Sequence, residues 1–495
     1  MDDAPSPLGG VDAQVVETHT SVLFFVGDRV YKLKKGVDLG FLDFSTREAR
    51  LEACHQEVAL NRRLSPDAYL GVADLLGTDG ELCDHLVVMR RMPDERRLTR
   101  CIERGEDVTE ALREIAHEIA ALHDSSPPDA RHDRLATVSD VRARWVAGFE
   151  QIGELERSDV ERARDDRIAH LVNRYLDGRR DLFEYRIRRG RVRDGHGDLL
   201  AEDIFLMPDG PQILDCLEFS EDYRWGDVLA DVAFLAMDLE RLGRRDLADQ
   251  FLALHRELSG DHWPASLGHH YVAYRAHVRA KVGLMRAAQA GTEPGPDVEA
   301  LFELAASRLE AGRVRLVVVG GAPGTGKSTV AAALGDRFEA VVLRTDEVRG
   351  RVCSDNAYSE AEVQATYDQM LADAGRLLRM GESVVLDATF GDAGRRGAYR
   401  RLAADAHADL TELRCAAPVA VASSRIVARL AVGRDASEAT PEVARRLAES
   451  FAPWPEAVEL DTLRPPAEVV TLADAAVRST PAGDEPARII DIVHR

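Results

Sequence analysis

Two stretches of this chain carry residue types at spacings suited to handling phosphate. Residues 321–328 read G-A-P-G-T-G-K-S, with R-L-V-V-V before the motif and an Ala-rich helical run after it. Gly321, Gly324 and Gly326 let a backbone fold around a phosphate without Cβ clashes. The segment from Gly321 through Ala322, Pro323, Gly324, Thr325 and Gly326 to Thr329 is then a cradle at the positive end of a helix. Lys327 is placed to reach the β- and γ-phosphates of a nucleotide, and Ser328 to hold Mg²⁺. Asp387 ends the strand S-V-V-L-D, the position for an acid that reaches the metal or its water shell. Asp346, in L-R-T-D-E-V-R, reads either as a base for a substrate hydroxyl or as a helix N-cap. Arg349, one turn on, reads as a substrate contact or as a solvated side chain. Arg425 and Arg429 lie four apart, on one helix face. With Arg434 they read as a lid in which Arg429 and Arg434 close on the phosphates, or as a solvated basic helix.

The second stretch is H-G-D-L-L-A-E-D-I-F-L, residues 196–206, followed by Q-I-L-D-C-L-E-F, residues 212–219. It resembles the catalytic loop and metal strand of aminoglycoside phosphotransferases and their relatives. The resemblance implies that Asp198 is the base, that Asp215 is one metal ligand, and that Asp203 is another, standing where the family usually has Asn. A base and two ligands that converge on one γ-phosphate make chemical sense. Leu200 replaces the family's common His, and Asp203 replaces Asn. Asp is a hard oxygen donor that suits Mg²⁺, but its extra charge leaves open a domain that binds ATP and transfers phosphate poorly. By the same resemblance Lys32, in R-V-Y-K-L-K, is the lysine for the α- and β-phosphates. Lys34, on the same strand face, is the runner-up, and Glu57 is the helix partner. No G-x-G-x-x-G precedes Lys32, which argues against a protein kinase. Residues 86–93 match the hinge that meets adenine, and Trp225-Gly226-Asp227 with Asp231 match a stretch that buttresses the fold. Glu218, Asp222 and Asp227 near the motif favour a neutral or cationic acceptor over an acidic one.

The pieces G-A-P-G-T-G-K-S, T-D-E-V-R, V-V-L-D-A-T-F and G-R-D-A-S-E-A-T together resemble the P-loop kinase group of gluconate kinase, chloramphenicol phosphotransferase and the kinase domain of polynucleotide kinase. The resemblance spans about residues 313–465 and implies transfer of the γ-phosphate of ATP to a hydroxyl. The order of the two halves is similar to bacterial proteins that fuse an aminoglycoside-phosphotransferase-like domain to an ATP-binding domain. The antibiotic in that family name does not follow from a fold.

These motifs need two differently built frames. Residues 21–34 read as a hairpin turning at Gly27-Asp28. A helix over 46–64, capped by Thr46, and strands near 70–77 and 82–92 complete a small lobe. From Asp107 to about 290 the pattern is helical, with short strands around 183–217 and a helix over 227–243 that stops at Gly243. Q-A-G-T-E-P-G-P, residues 289–296, is the clearest linker, with a bridging helix over 297–311. Strands at 315–319, 340–344, 383–387 and 411–415 then alternate with helices at 359–380, 395–407, 418–432 and 441–451, which predicts a parallel sheet. The expected architecture is an α+β, protein-kinase-like bilobal domain followed by an α/β P-loop NTPase domain. Its boundaries are a disordered 1–13, a small lobe 14–92, a large lobe 93–288, a linker and bridging helix 289–312, and a P-loop domain 313–495.

At 495 residues the chain exceeds one ordinary core. The formal net charge of −22 argues against a nucleic-acid partner, whose phosphates demand a basic face. Six cysteines without a C-x-x-C fit a reducing compartment and no zinc site. The acidic, Pro-containing N-terminus lacks the form of a signal peptide, and no apolar run approaches the ~20 residues that span a bilayer. A cytoplasmic kinase using ATP and Mg²⁺ on a small-molecule hydroxyl is the expected function. A nucleotide-sensing regulatory ATPase and a polynucleotide 5′-hydroxyl kinase remain open beside it. The sequence carries no sign of oligomeric state.

Overall fold

In the computed structural model the chain forms two compact units. The first comprises Met1–Val141, Arg186–His262 and Tyr274–Leu304, and the second Arg142–Tyr185, Trp263–Ala273 and Ala305–Arg495. The structure describes residues 14–18, 20–38, 42–155, 157–352, 359–432 and 440–483. The expected disordered segment 1–13 lies outside them.

The first unit opens with an antiparallel sheet of β1 (Gln14–Glu17), β2 (Ser21–Val26), β3 (Arg29–Lys34), β4 (Tyr69–Leu76) and β5 (Leu82–Arg90), in the order β1-β2-β3-β5-β4. The β2–β3 hairpin turns at Gly27, whose φ of 58° suits a residue without Cβ. One helix, Arg47–Asn61, packs on the sheet, and Thr46 caps it by accepting from the Ala49 N–H at 3.2 Å. Val30, Cys54, Val58, Tyr69, Val87 and Met89 form the core between them. Helices follow, interrupted by two short antiparallel strand pairs. β6 (Val192–Asp194) pairs with β9 (Trp225–Asp227), and β7 (Ile204–Met207) with β8 (Gly210–Ile213). Strand character expected from residue 183 begins only at Val192, because Arg180–Arg188 is helical. Leu182, Phe183 and Arg186 are its buried positions. Arg186 is buried because Asp227 and Asp261 hold its guanidinium at 2.6 and 2.7 Å.

The second unit holds a five-stranded parallel sheet of β10 (Arg315–Gly320), β11 (Val341–Arg344), β12 (Val384–Asp387), β13 (Asp409–Ala416) and β14 (Val458–Asp461), in the order β11-β12-β10-β13-β14. β14 and the helices Thr345–Val352 and Pro466–Ser479 had no counterpart in the sequence reading. Val317, Val319, Val330, Leu334, Val385 and Leu413 form the core around the central strand β10. Residues 142–185 and 263–273, assigned by sequence to the large lobe, pack within this unit. Arg174 lies 3.0 Å from Asp409, and the Arg179 guanidinium donates to the Ala406 carbonyl at 2.8 Å. A Cβ on Gly178 would stand 2.4 Å from that same carbonyl oxygen.

Candidate active sites

Strand alternation builds half of the first site. Val30, Lys32 and Lys34 share one face of β3, since side chains two apart on a strand point the same way. The helix Arg47–Asn61 buries Ala53, Cys54, Glu57, Val58 and Asn61, a single helical face. Glu57 is thus fully buried, and each of its oxygens takes a different lysine. Oε1 lies 2.9 Å from Lys32 Nζ and Oε2 lies 2.7 Å from Lys34 Nζ. Lys32 also donates to Asp215 Oδ1 at 2.7 Å, and Lys34 to Glu218. The two lysines are therefore not alternatives: both belong to one chain of alternating charge from Asp215 to Glu218. Burial works against the charge of Lys32, but Asp215 and Glu57 outweigh it and hold the ammonium well above its ordinary range. Against the upward push of burial, Lys32 and Lys34 keep Glu57 below the usual carboxylate value.

The other half is the loop between β6 and β7. Asp231, on the helix Val228–Arg241, accepts from the His196 N–H at 2.9 Å and the Gly197 N–H at 2.8 Å. Its Oδ2 also lies 3.0 Å from His123 Nε2. Gly197 has a φ of 87°, and a Cβ on Gly195 would stand 2.5 Å from Asp231 Oδ2. Seven residues along the same helix, Asp238 accepts from the Ala201 N–H at 2.9 Å. One helix thereby anchors both ends of the loop that carries Asp198. Asp238 was missed; two aspartates seven apart in a mostly apolar helix were the available signal.

The β7–β8 hairpin sets Asp203 beside Asp215, because the Leu214 N–H donates to the Asp203 carbonyl at 3.0 Å. Asp215 has a φ of 63°, an uncommon conformation for a residue with Cβ, and its N–H donates to the Tyr69 hydroxyl at 3.1 Å. Lys32 beside Asp215 holds its carboxyl below the ordinary value. Burial pushes Asp198 up to about 6 against the pull of Arg279 and Arg275. Burial, with Asp215, Glu202 and Asp198 nearby, pushes Asp203 far above the ordinary range. Crowded carboxylates of this kind fit a divalent cation, and their hard oxygens suit Mg²⁺. Among the described residues no group of three or more His, Cys, Asp or Glu forms a metal cage. The expected preference for a neutral or cationic acceptor loses its basis. Glu218 is paired with Lys34, Asp222 with Arg134 at 2.8 Å, and Asp227 with Arg186.

The second site stands at the carboxyl ends of the parallel strands, where ligands bind in such sheets. Gly321 to Gly326 link β10 to the helix Lys327–Arg337. Gly324 has a φ of 81°, and a Cβ there would lie 2.4 Å from the Ala422 carbonyl oxygen. The Lys327 ammonium donates to the Ala322 carbonyl at 3.1 Å, and the Thr325 hydroxyl to the same carbonyl at 2.7 Å. Burial lowers the Lys327 value against the pull of Asp387. Asp387 is central because its strand β12 pairs with β10 and β11, matching Asp387 to Val319 and Arg344. Asp346 lies in the first turn of Thr345–Val352, where its Oδ1 takes the Arg349 guanidinium at 2.9 Å. Arg349 is therefore neither solvated nor free for substrate alone: it orients Asp346. Arg425 donates to the Thr462 carbonyl at 2.7 Å. Lys327, Ser328, Asp346, Asp387, Arg425 and Arg429 all line one cavity of about 540 Å³. Ser328 and Asp387 bring to it hard oxygens of the kind that suits Mg²⁺. Arg434 lies outside the described residues. Arg395, Tyr367 and Arg446 also line the cavity and carried no motif by which the sequence could reveal them.

Residues 25–267 match the model of the phosphotransferase enzyme family, and residues 316–454 match that of an AAA domain. With the two folds and their sites, these matches define the protein as a kinase, a phosphotransferase carrying two kinase-type domains. An uncharacterized protein of Mycobacterium tuberculosis is 42% identical over 487 residues, covering 94% of this chain and 97% of its own length. The chain belongs to the same family as that mycobacterial protein. Among solved structures, a choline kinase from Cryptosporidium parvum is similar at 10% identity and a TM-score of 0.40, covering 60% of this chain and 88% of its own. A gluconokinase from Sinorhizobium meliloti is similar at 18% identity and a TM-score of 0.27, covering 33% and 91%. Among the described residues, no helix is long and apolar enough to cross a membrane.

Proposed function

We propose that the protein is an ATP- and Mg²⁺-dependent kinase with two separate transfer sites, each passing the γ-phosphate to a hydroxyl of a small molecule. One observation carries this reading. Each unit by itself gathers a lysine for phosphate, a carboxylate suited to act as base, and acidic oxygens for a divalent cation. These are Lys32, Asp198, Asp203 and Asp215 in the first unit, and Lys327, Asp346 and Asp387 with Ser328 in the second. Mg²⁺, when bound, would neutralise charge on the phosphates.

In the first site Lys32, oriented by Glu57, holds the α- and β-phosphates, and Asp198 accepts the proton of the attacking hydroxyl. In the second, backbone N–H groups of the P-loop wrap the phosphates. Lys327 exchanges the Ala322 carbonyl for a phosphate oxygen, and Asp346, steadied by Arg349, takes the hydroxyl proton. Arg429 offsets charge on the departing phosphates. In both, a bond forms from acceptor oxygen to γ-phosphorus as the bond to the bridging oxygen breaks, and ADP leaves.

The test is titration and turnover of the full chain. AMP-PNP with Mg²⁺ is expected to saturate at two equivalents, and Lys327→Ala to leave one. Asp198→Ala is expected to lower the first site's turnover by roughly 10²–10⁴-fold, the usual contribution of a positioned base. Saturation of the wild type at one equivalent would refute the two-site reading. A second reading has a specific observation in its favour: Asp203 adds a negative charge to an already crowded group. If Lys327→Ala alone abolishes all turnover while two equivalents of nucleotide still bind to the wild type, the first unit is a nucleotide sensor.

A further inference from the structure

The cavity of the second unit holds more positive charge than a nucleotide uses. Among the described residues lining it, seven lysine and arginine side chains face two carboxylates, a formal surplus of five. ATP carrying one Mg²⁺ brings a charge of about −2, so a surplus of about three would remain. Part of that surplus lies on the wall built by the helix Glu360–Arg379, the segment after Asp387, and the helix Pro441–Glu449. There Arg395 and Arg446 have no carboxylate partner among the described residues. Other arginines of the unit are committed: Arg349 to Asp346, Arg400 to Glu412, Arg313 to Asp409. Arg395 lies over the Tyr367 ring at 4.5 Å, and stacking of this kind fixes the guanidinium plane while leaving its N–H edge open. The Tyr367 hydroxyl, 3.2 Å from Thr389 Oγ1, adds a neutral polar group to the same wall.

We infer that the acceptor of this site is a small hydroxylated anion, whose carboxylate or phosphate is held by Arg395 and Arg446 while its hydroxyl meets Asp346. A planar guanidinium pairs with either anion through two parallel N–H···O bonds. This inference rests on the reading of the second unit as a transfer site.

The test uses the full chain saturated with AMP-PNP and Mg²⁺, titrated calorimetrically with three probes that share one carbon skeleton: D-glycerate, glycerol 3-phosphate and glycerol. Saturable binding of at least one anion is expected, with glycerol at least tenfold weaker. The tighter anion identifies carboxylate or phosphate as the recognised group. R395Q/R446Q is expected to weaken the anion at least tenfold, about 1.4 kcal/mol. R395K/R446K, which keeps charge but not the planar fork, is expected to fall between. Equal binding of glycerol, no saturable binding of either anion, or wild-type anion affinity in R395Q/R446Q overturns the inference. Failure of the underlying reading is seen separately, as an AMP-PNP stoichiometry that Lys327→Ala does not change.

Discussion

As the base proposed for the first site, Asp198 stands where chemistry and stability pull in opposite directions. A base must be ionised, yet burial lifts this carboxyl from 3.8 to about 6. A group whose folded value lies above its unfolded value binds its proton more tightly in the native state. Its contribution to stability therefore falls as pH rises from about 4 through 6. Two outcomes follow for Asp198→Asn. Transfer by the first unit is lost, and the melting temperature rises at pH 8, a gain that vanishes near pH 4. Thermal melts at the two pH values check it, and an equal shift at both would contradict the assignment. In the active wild type, the acid limb of kcat/KM for the first site is expected to turn near pH 6. Lys34 provides a contrasting case. It is almost fully buried and satisfies both Glu57 and Glu218. Lys34→Met leaves Glu218 without its counter-charge and Glu57 with Lys32 alone, and a loss of about 3–5 kcal/mol is expected in urea unfolding. Adding Glu218→Gln is expected to recover part of that loss, because it removes the orphaned charge.

At the scale of the element, what the sequence revealed and what it hid have a common physical cause. The β2–β3 hairpin and the helix Lys327–Arg337 were legible because turn chemistry, apolar pattern and motif agreed. The helix Arg180–Arg188 was not, because one of its three buried positions is Arg186, which pattern reading places outside. Its burial depends on Asp227 and Asp261, residues far along the chain. β14 was missed because its alternation, V-E-L-D, spans only four residues, of which Leu460 alone is buried. At the sites, Asp198, Asp215, Lys327 and Asp387 lie in short local patterns that can be read along the sequence. Arg395 and Tyr367 lie on separate elements, and no fixed spacing joins them. The P-loop itself yields a prediction. Gly324→Ala adds a Cβ to a backbone at φ 81° and drives it to 2.4 Å from the Ala422 carbonyl oxygen. The loop must open, and AMP-PNP stoichiometry is expected to fall from two to one with the melting transition retained. Stoichiometry of two in this variant would show that the loop tolerates the change.

For the whole molecule, sequence order and packing divide the chain differently. The phosphotransferase match runs through residues 25–267, yet 142–185 and 263–267 within that range belong to the unit built on the P-loop sheet. The reason lies in particular contacts. Asp409, at the start of β13, is buried and is held by Arg174 and by Arg313 at 2.6 Å. Arg179, almost wholly buried, donates to the Ala406 carbonyl, and the Ser266 hydroxyl donates to the Gly381 carbonyl at 2.7 Å. Loop carbonyls next to the sheet thus depend on donors far upstream, and a buried acceptor that loses its donor costs about 1–3 kcal/mol each. A fragment beginning at residue 313 would keep β10 to β14 and every P-loop motif, yet lack Arg174, Arg179 and Ser266 together. With native stabilities of only about 5–15 kcal/mol, three such losses and the apolar surface exposed beside them consume most of the margin. The fragment is expected to show no cooperative thermal transition by circular dichroism and to bind no AMP-PNP, whereas the full chain does both. A fragment that melts cooperatively and binds nucleotide with the affinity of the full chain would show that these helices are a dispensable cover for the P-loop domain.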